Sequence, residues 1–462
     1  MNLTDLSAAD LAGRVQRGAV TVRSVADAFL QNLELRNPDI NALIYWSRDD
    51  IHRQSQAIQK RINQGEALPL AGVPIAIKDN LWVKGWPITQ GSRLFEGFIA
   101  PEDSAAVARL RTAGAIILGM ANSPEFACRG VTTNELYGPT RNPWDLERTP
   151  GGSSGGSASA VAARLCPLSL GTDAGGSIRR PASHTGILGF MPSCGTVPEG
   201  PGFEGPDFGN STIGVFARTV GDIDLVMGII GEGGRMDPGS AGSVNSGSSR
   251  PLRLGFSPDL GLAALIEPDV ARSVSAAVDR LRDDGLSVLT MTPRWPKSTS
   301  ESRIGALEKS ALAAMYGAQY QQNKAQFDPD VADQIREGLE LTGVDVANAL
   351  RFRKELHVHF IACFESIDVL LCPTAPVTAW PLSEAWPSII DGKKANARDH
   401  AAFSWMINQV FAPACSVPCG TDNKGLPVGL QIIAPRFADQ RVLTIAKHLE
   451  RLNDYTFLPL PG

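Results

Sequence analysis

Residues 151–181, GGSSGGSASAVAARLCPLSLGTDAGGSIRRP, constrain the fold more than any other stretch of the chain. Two Gly/Ser clusters, GGSSGGS and DAGGS, flank a short apolar run over residues 158–170. Glycine at this density means backbone that passes close to something, or positive φ at several points. A serine in each cluster suggests that the something is a substrate. A flexible Gly/Ser linker is the bland alternative, but the apolar run and the SIRRPA segment do not have linker composition. A third element belongs with them: GVPIAIKDN, residues 72–80, places one lysine, Lys78, at the end of an apolar, strand-like run.

Composition bounds the class. With 43% hydrophobic and 20% charged residues, the chain reads as globular and soluble. A net charge of −5 without a basic block argues against a nucleic-acid surface, which needs clustered Lys and Arg. No run approaches the roughly 18 consecutive apolar residues of a membrane span. The opening MNLTDLSAADLAGRV carries neither the basic nor the apolar region of a secretory signal. Seven cysteines without a CxxC pair suggest reduced thiols. The expectation is a cytoplasmic protein, monomer or homodimer, that acts on a small molecule and has no nucleic-acid or membrane partner.

Local patterns predict the architecture. Residues 1–65 read as helical, with Ser7 and Thr21 as candidate caps and a short strand over residues 41–46. Residues 70–77 read as a buried strand, 104–113 as a helix, 115–120 as a strand and the segment after Ser153 as a helix of small residues. Strands alternating with helices argue an α/β fold with helices on both faces of the sheet. Residues 191–210, rich in Gly and Pro, read as a long loop bordering the site, because structureless segments of that length are usually functional or disordered. Residues 239–249 read as a flexible polar connector. Residues 300–365 read as mainly helical, a cap or side layer, and the chain returns to the sheet near residues 368–376.

Lys78, GGSSGGS and GTDAGGSIRRPA, in that order, closely resemble the amidase signature hydrolases. TRNPWD before the first cluster, VLLCPTAP near residue 372 and GLPVGLQIIA near residue 430 also fit, and the resemblance weakens between about residues 231 and 368. It implies one domain over residues 1–462, with a mixed central sheet covered by helices on both faces. Within it, residues 1–65 form a helical part, 66–230 a catalytic core, 231–367 a variable, partly helical cap and 368–462 the C-terminal part of the core. It implies hydrolysis of C–N acyl bonds without metal or cofactor, through a Ser-cisSer-Lys triad. Ser177 matches the nucleophile, Ser153 the bridging serine after a cis peptide bond, and Lys78 the base. The N–H groups of Ala174, Gly175, Gly176 and Ser177 match the oxyanion hole.

The chemistry such a triad needs is coherent with these residues. An exposed lysine titrates near pH 10.4 and is a poor base at neutral pH; burial at the end of an apolar strand lowers that value. A neutral Lys78 can then take a proton from Ser153 while Ser153 takes one from Ser177. A competing motif, G-x-S-x-G over residues 151–155, would make Ser153 the nucleophile of a Ser-His-Asp hydrolase, but that motif follows a strand, and the preceding WDLERTP is none. His357 and His359, two apart on a helical segment, make a poor metal pair. Cys128 and Cys194, near the site loops, read as buried and unreactive.

The neighbouring residues are less determined. Asp173 and Arg179 read as scaffold that ties the two Gly/Ser loops together. Arg180 has two readings, a clamp for a substrate carboxylate or a scaffold ion pair. Met191-Pro192-Ser193, Gly214-Val215 and Met120-Ala121-Asn122 depart from frequent family patterns, which suggests an individual, apolar pocket. Phe203, Phe208, Trp405 and Phe411 are its candidate walls. The expected substrate is a small neutral aryl or alkyl amide, with a carbamate (urethane) as the chemical variant. The glutamine-hydrolysing subunits of tRNA amidotransferases are the other alternative. They carry Gln where Arg180 stands and an acidic residue near AAFSWM, residues 401–406, which here has none.

Overall fold

Ser7 and Thr21 each open a helix. Ser7 accepts a hydrogen bond from the Asp10 N–H and Thr21 from that of Ser24, taking up donors that a first helical turn leaves unpaired. The computed structural model describes residues 2–231 and 251–453, so the 239–249 segment read as a connector lies outside the described residues.

The two capped helices are α1 (Ala8–Gln16) and α2 (Val22–Ile40); β1 (Leu43–Tyr45), α3 (Arg48–Asn63), β2 (Pro74–Lys78), α4 (Ala105–Thr112) and β3 (Ile116–Ala121) follow. The Gly/Ser-rich region supplies α5 (Gly155–Ala162), β4 (Leu168–Asp173), α6 (Arg179–Thr185) and β5 (Leu188–Met191), and β6 (Thr212–Ala217) and α7 (Val220–Ile230) complete that half. Next come β7 (Leu254–Phe256), α8 (Pro268–Asp283), β8 (Val288–Thr290), α9 (Gly305–Gln322), α10 (Pro329–Glu340), α11 (Gly343–Cys363) and β9 (Val369–Pro373). A two-stranded hairpin, β10 (Ile389–Ile390) with β11 (Lys393–Lys394), then α12 (Trp405–Gln409), β12 (Ala414–Thr421), β13 (Pro427–Ile433) and α13 (Asp439–Leu452) end the described chain.

One mixed sheet of 11 strands, in the order β1-β3-β2-β4-β6-β5-β12-β13-β9-β7-β8, runs through the molecule and is flanked by helices. β2 lies parallel to both β3 and β4, so it is buried on both sides and reads as a continuous apolar run, PIAIK, until its last residue. The strand begins later than the sequence suggested, at Pro74, and extends one residue further to include Lys78. β7 and β8, from the weakly resembling region, join the sheet edge beside β9.

Small residues let α5 approach the sheet closely. Every residue from Gly155 to Ala162 is buried. Ser157 Oγ donates to the Leu170 carbonyl, and Ser169 Oγ returns a hydrogen bond to the Ser157 carbonyl, both at 2.8 Å. Helix and strand are thus stitched together between the two Gly/Ser turns. α9 packs against the Phe126 turn, where Tyr316 stacks on Phe126 with centroids 4.2 Å apart.

Candidate active site

Parallel register brings Lys78 and the GTDAGGS turn together. Ile77 pairs with Leu170, so the C-terminal ends of β2 and β4 lie side by side. Ligands of open α/β sheets gather at such strand ends. Lys78 Nζ sits 2.7 Å from Ser153 Oγ and 2.9 Å from Thr172 Oγ1 in hydrogen-bond geometry. The side chain is fully buried. Burial lowers the Lys78 ammonium to about 7, against the opposing pull of Asp173, Cys128 and Asp79. Burial also pushes the adjacent Asp79 carboxyl up to about 6, although Thr89 and Gly91 donate hydrogen bonds to it.

The two consecutive serines of the first cluster have different partners. Ser153 faces Lys78, and its peptide bond with Gly152 is cis. Ser154 turns the other way and donates to the Thr172 carbonyl at 3.1 Å. Gly152 has no room for a side chain, because a Cβ would lie 2.8 Å from the Val131 carbonyl oxygen. The hydrogen-bond partner of Ser153 is a lysine, not a histidine, so the Ser-His-Asp arrangement is absent at this serine.

Ser177 lines the same cavity as Ser153, and no described residue hydrogen-bonds its hydroxyl. Of the four candidate oxyanion donors, Gly176 is already engaged: its N–H donates to Asp173 Oδ1 at 2.5 Å. The N–H groups of Gly175 and Ser177 donate to no acceptor among the described residues, and Ala174 lines the cavity beside them. Gly176 adopts φ 108°, and a Cβ there would lie 2.2 Å from Ser404 Oγ, so only glycine fits this turn.

The supporting pair does something other than expected. Asp173 and Arg179 form a fully buried ion pair at 3.0 Å. Arg179 also donates to the Ser404 carbonyl, Gln431 Oε1 and Asn408 Oδ1. The pair therefore ties the Ser177 turn to the C-terminal part of the core, not to the GGSSGGS loop. Arg179, together with the Ile178 and Gly176 N–H groups, holds the Asp173 carboxyl well below the usual carboxylate range despite its burial. The link between the two Gly/Ser loops is Arg180, whose Nη1 donates to the Gly175 carbonyl at 2.6 Å and whose Nη2 donates to the Gly152 carbonyl at 3.1 Å. Arg180 is 2% exposed, and burial pushes its guanidinium down to about 10. Both of its terminal nitrogens serve backbone carbonyls and no carboxylate among the described residues pairs with them, so it is a backbone tie and not a scaffold ion pair.

The cavity lined by Ser153 and Ser177 holds about 1330 Å³ of space, counted together with the open solvent at its mouth. Phe203 and Trp405 line it, together with Phe126. Phe203 pins the 192–211 loop by packing on Trp82, Phe95 and Phe98, with centroids 4.6–5.5 Å apart. Two of the expected walls are elsewhere. Phe208 is 45% exposed and outside the cavity lining. Phe411 also lies outside it, against His357 and the guanidinium of Arg436. Nor is the pocket purely apolar: Glu301, Glu308 and Arg398 line it from the α9 side. Cys128 is buried, whereas Cys194 is only partly so and donates to the Gly209 carbonyl.

Two further residues escaped the sequence reading. Thr172 accepts from both Lys78 and Asn80 and so fixes the lysine head; its place inside GTDAGGS was the available signal. Thr132 accepts from the Gly155 N–H and donates to the Gly151 carbonyl, which braces the Ser153 turn. Nothing in the surrounding RGVTTNE marks it.

A family model described as Amidase matches residues 24–443. The acylamidase of Rhodococcus erythropolis is 34% identical over 466 residues, covering 98% of this chain and 97% of that protein. A glutamyl-tRNA(Gln) amidotransferase subunit from Acidothermus cellulolyticus is 35% identical over 497 residues, covering 96% of this chain and 94% of that protein. Among solved structures, a bacterial aryl acylamidase of the amidase signature enzymes superposes with a TM-score of 0.89 at 27% identity, covering 97% of this chain and 96% of the other.

Proposed function

The chain belongs to the amidase signature family and is an amidohydrolase, and on that premise we propose that it cleaves the C–N acyl bond of small aryl or alkyl amides through an acyl-enzyme on Ser177. The observation that carries this reading is the 2.7 Å contact between a buried, readily deprotonated Lys78 and Ser153, in the cavity that also holds Ser177. Neutral Lys78 accepts the Ser153 proton as Ser153 accepts that of Ser177, and the Ser177 oxygen adds to the substrate carbonyl. The N–H groups of Gly175 and Ser177 receive the developing oxyanion. The relay then runs backwards and protonates the leaving amine, and water, activated by the same groups, releases the acid. Phe126, Phe203 and Trp405 give an aryl group apolar walls, and the similarity to a bacterial aryl acylamidase supports the same substrate class.

The pH dependence follows from Lys78. Its charged form cannot accept a proton, so kcat/KM is expected to rise with pH through about 7 and then level off. Lys78→Arg, which stays charged throughout this range, is expected to be inactive at every pH. A wild-type profile that rises only near the ordinary lysine value would contradict the role given to burial.

A matched panel tests the substrate class. One chromogenic aniline is offered as its acetanilide and as its carbamate, with Ser177→Ala as control. Turnover of the acetanilide that is lost in the variant is the expected result. Faster turnover of the carbamate would make the chain a urethane hydrolase with the same relay. Silence on both, with glutamine hydrolysed only beside a partner protein, would make the chain one component of an amidotransferase instead.

A further inference from the structure

The α9 side of the active-site cavity carries more negative charge than positive. Glu301 and Arg398 form a two-pronged ion pair there, which commits the guanidinium fork to that one carboxylate. Glu308, one helical turn into α9, lines the cavity but forms no ion pair among the described residues. The nearby Cys128 thiol donates to the Phe126 carbonyl instead, and the strongest pull toward the charged form of Glu308 comes from Arg398. Glu204 lines the same cavity from the 192–211 loop. Of the other two arginines of the lining, Arg129 is committed to Asp330, and Arg180 commits its two terminal nitrogens to backbone carbonyls and leaves its Nε without a partner among the described residues.

Among the described residues, the neutral groups of the lining add unpartnered acceptors, beside an unpartnered donor, Gln90 Nε2. Asn210 and Gln409 line the cavity at 4% and 5% exposure, and each leaves its amide oxygen without a partner. Buried acceptors normally find a donor. A ligand that brings N–H groups would supply one to these two oxygens.

We propose that this wall selects substrates with a second, basic nitrogen, and that Glu308 accepts a charge-assisted hydrogen bond from that amino group. This rests on the amidase reading above and narrows it from neutral amides to amides bearing an amine remote from the scissile bond. Burial raises the Glu308 carboxyl, and a neighbouring ammonium restores its charged form, so binding and ionisation reinforce each other.

The test uses the full chain and three para-substituted acetanilides bearing methyl, aminomethyl and carboxymethyl groups. Wild type is expected to favour aminomethyl over methyl by roughly tenfold in kcat/KM, the scale of one hydrogen bond to a charged group, and to turn over carboxymethyl least. In Glu308→Gln the aminomethyl-to-methyl ratio should fall to about one, and in Glu308→Lys carboxymethyl should become the preferred of the charged pair. If these variants do not fold, competition in wild type decides: para-methylbenzylamine should inhibit methyl-anilide turnover at roughly tenfold lower concentration than para-methylbenzoate. Methyl-anilide turnover with an unchanged ratio in Glu308→Gln, or equal inhibition by the two competitors, overturns this proposal alone. No turnover of any anilide, with no fluorophosphonate labelling of Ser177, overturns it together with the amidase reading.

Discussion

Replacing Ser177 by alanine is expected to lower kcat on an amide substrate by roughly 10³-fold or more, the usual scale when a nucleophile acting within a relay is removed. The fold should survive, because no described residue depends on the Ser177 hydroxyl for a hydrogen bond. Ser153→Ala should be nearly as severe, since in the proposed relay Ser153 is the group that hands the proton to Lys78. Ser154→Ala provides the contrast. Its hydroxyl holds the Thr172 carbonyl, so the change should cost about 1 kcal/mol of stability and leave the relay in place. Progress curves with matched protein concentrations and a thermal melt for each variant separate the three. Retained turnover in Ser177→Ala, with loss in Ser153→Ala, would move the nucleophile to Ser153.

The largest stability effect is expected at Arg179. Its guanidinium and the Asp173 carboxylate are both fully buried, and Arg179→Met would leave that carboxylate without its counter-charge. Breaking one partner of a buried pair costs about 3–5 kcal/mol, which here should appear as a clear fall in the urea midpoint. Activity should fall with it, because Asp173 also receives the Gly176 and Ile178 N–H groups that shape the Ser177 turn. The double variant Asp173→Asn, Arg179→Met should recover part of the loss, since no unpaired charge remains. A single variant as stable as wild type would show that the pair is not what fixes the turn.

The parts of this site that were legible in the sequence are those that one short segment supplies. The capping serine and threonine, the apolar strand ending in Lys78 and the small-residue helix all leave local patterns, and the resemblance carried the triad assignment. What could not be read depends on where a side chain points after folding. Arg179 and Arg180 are adjacent in sequence, yet one reaches the C-terminal core and the other bridges the two Gly/Ser loops. The resemblance implies Gly176 as an oxyanion donor, but the Asp173 carboxylate takes its N–H. Phe208 and Phe411 lie close in sequence to Asp207 and Gln409, which line the cavity, yet both rings fall outside that lining. Glu308 lies in a helical segment with no distinguishing motif, and only the packing of α9 against the Phe126 turn brings it to the substrate cavity.

The site of acylation tests the central claim most directly. Wild-type protein would be mixed with an activated aryl acyl donor, quenched in acid within the first turnovers, digested, and its peptides weighed. The account predicts an acyl group on Ser177, absent from Ser177→Ala, and accumulating faster as pH is raised through about 7. An acyl group on Ser153, or turnover with no acylated serine, would contradict it.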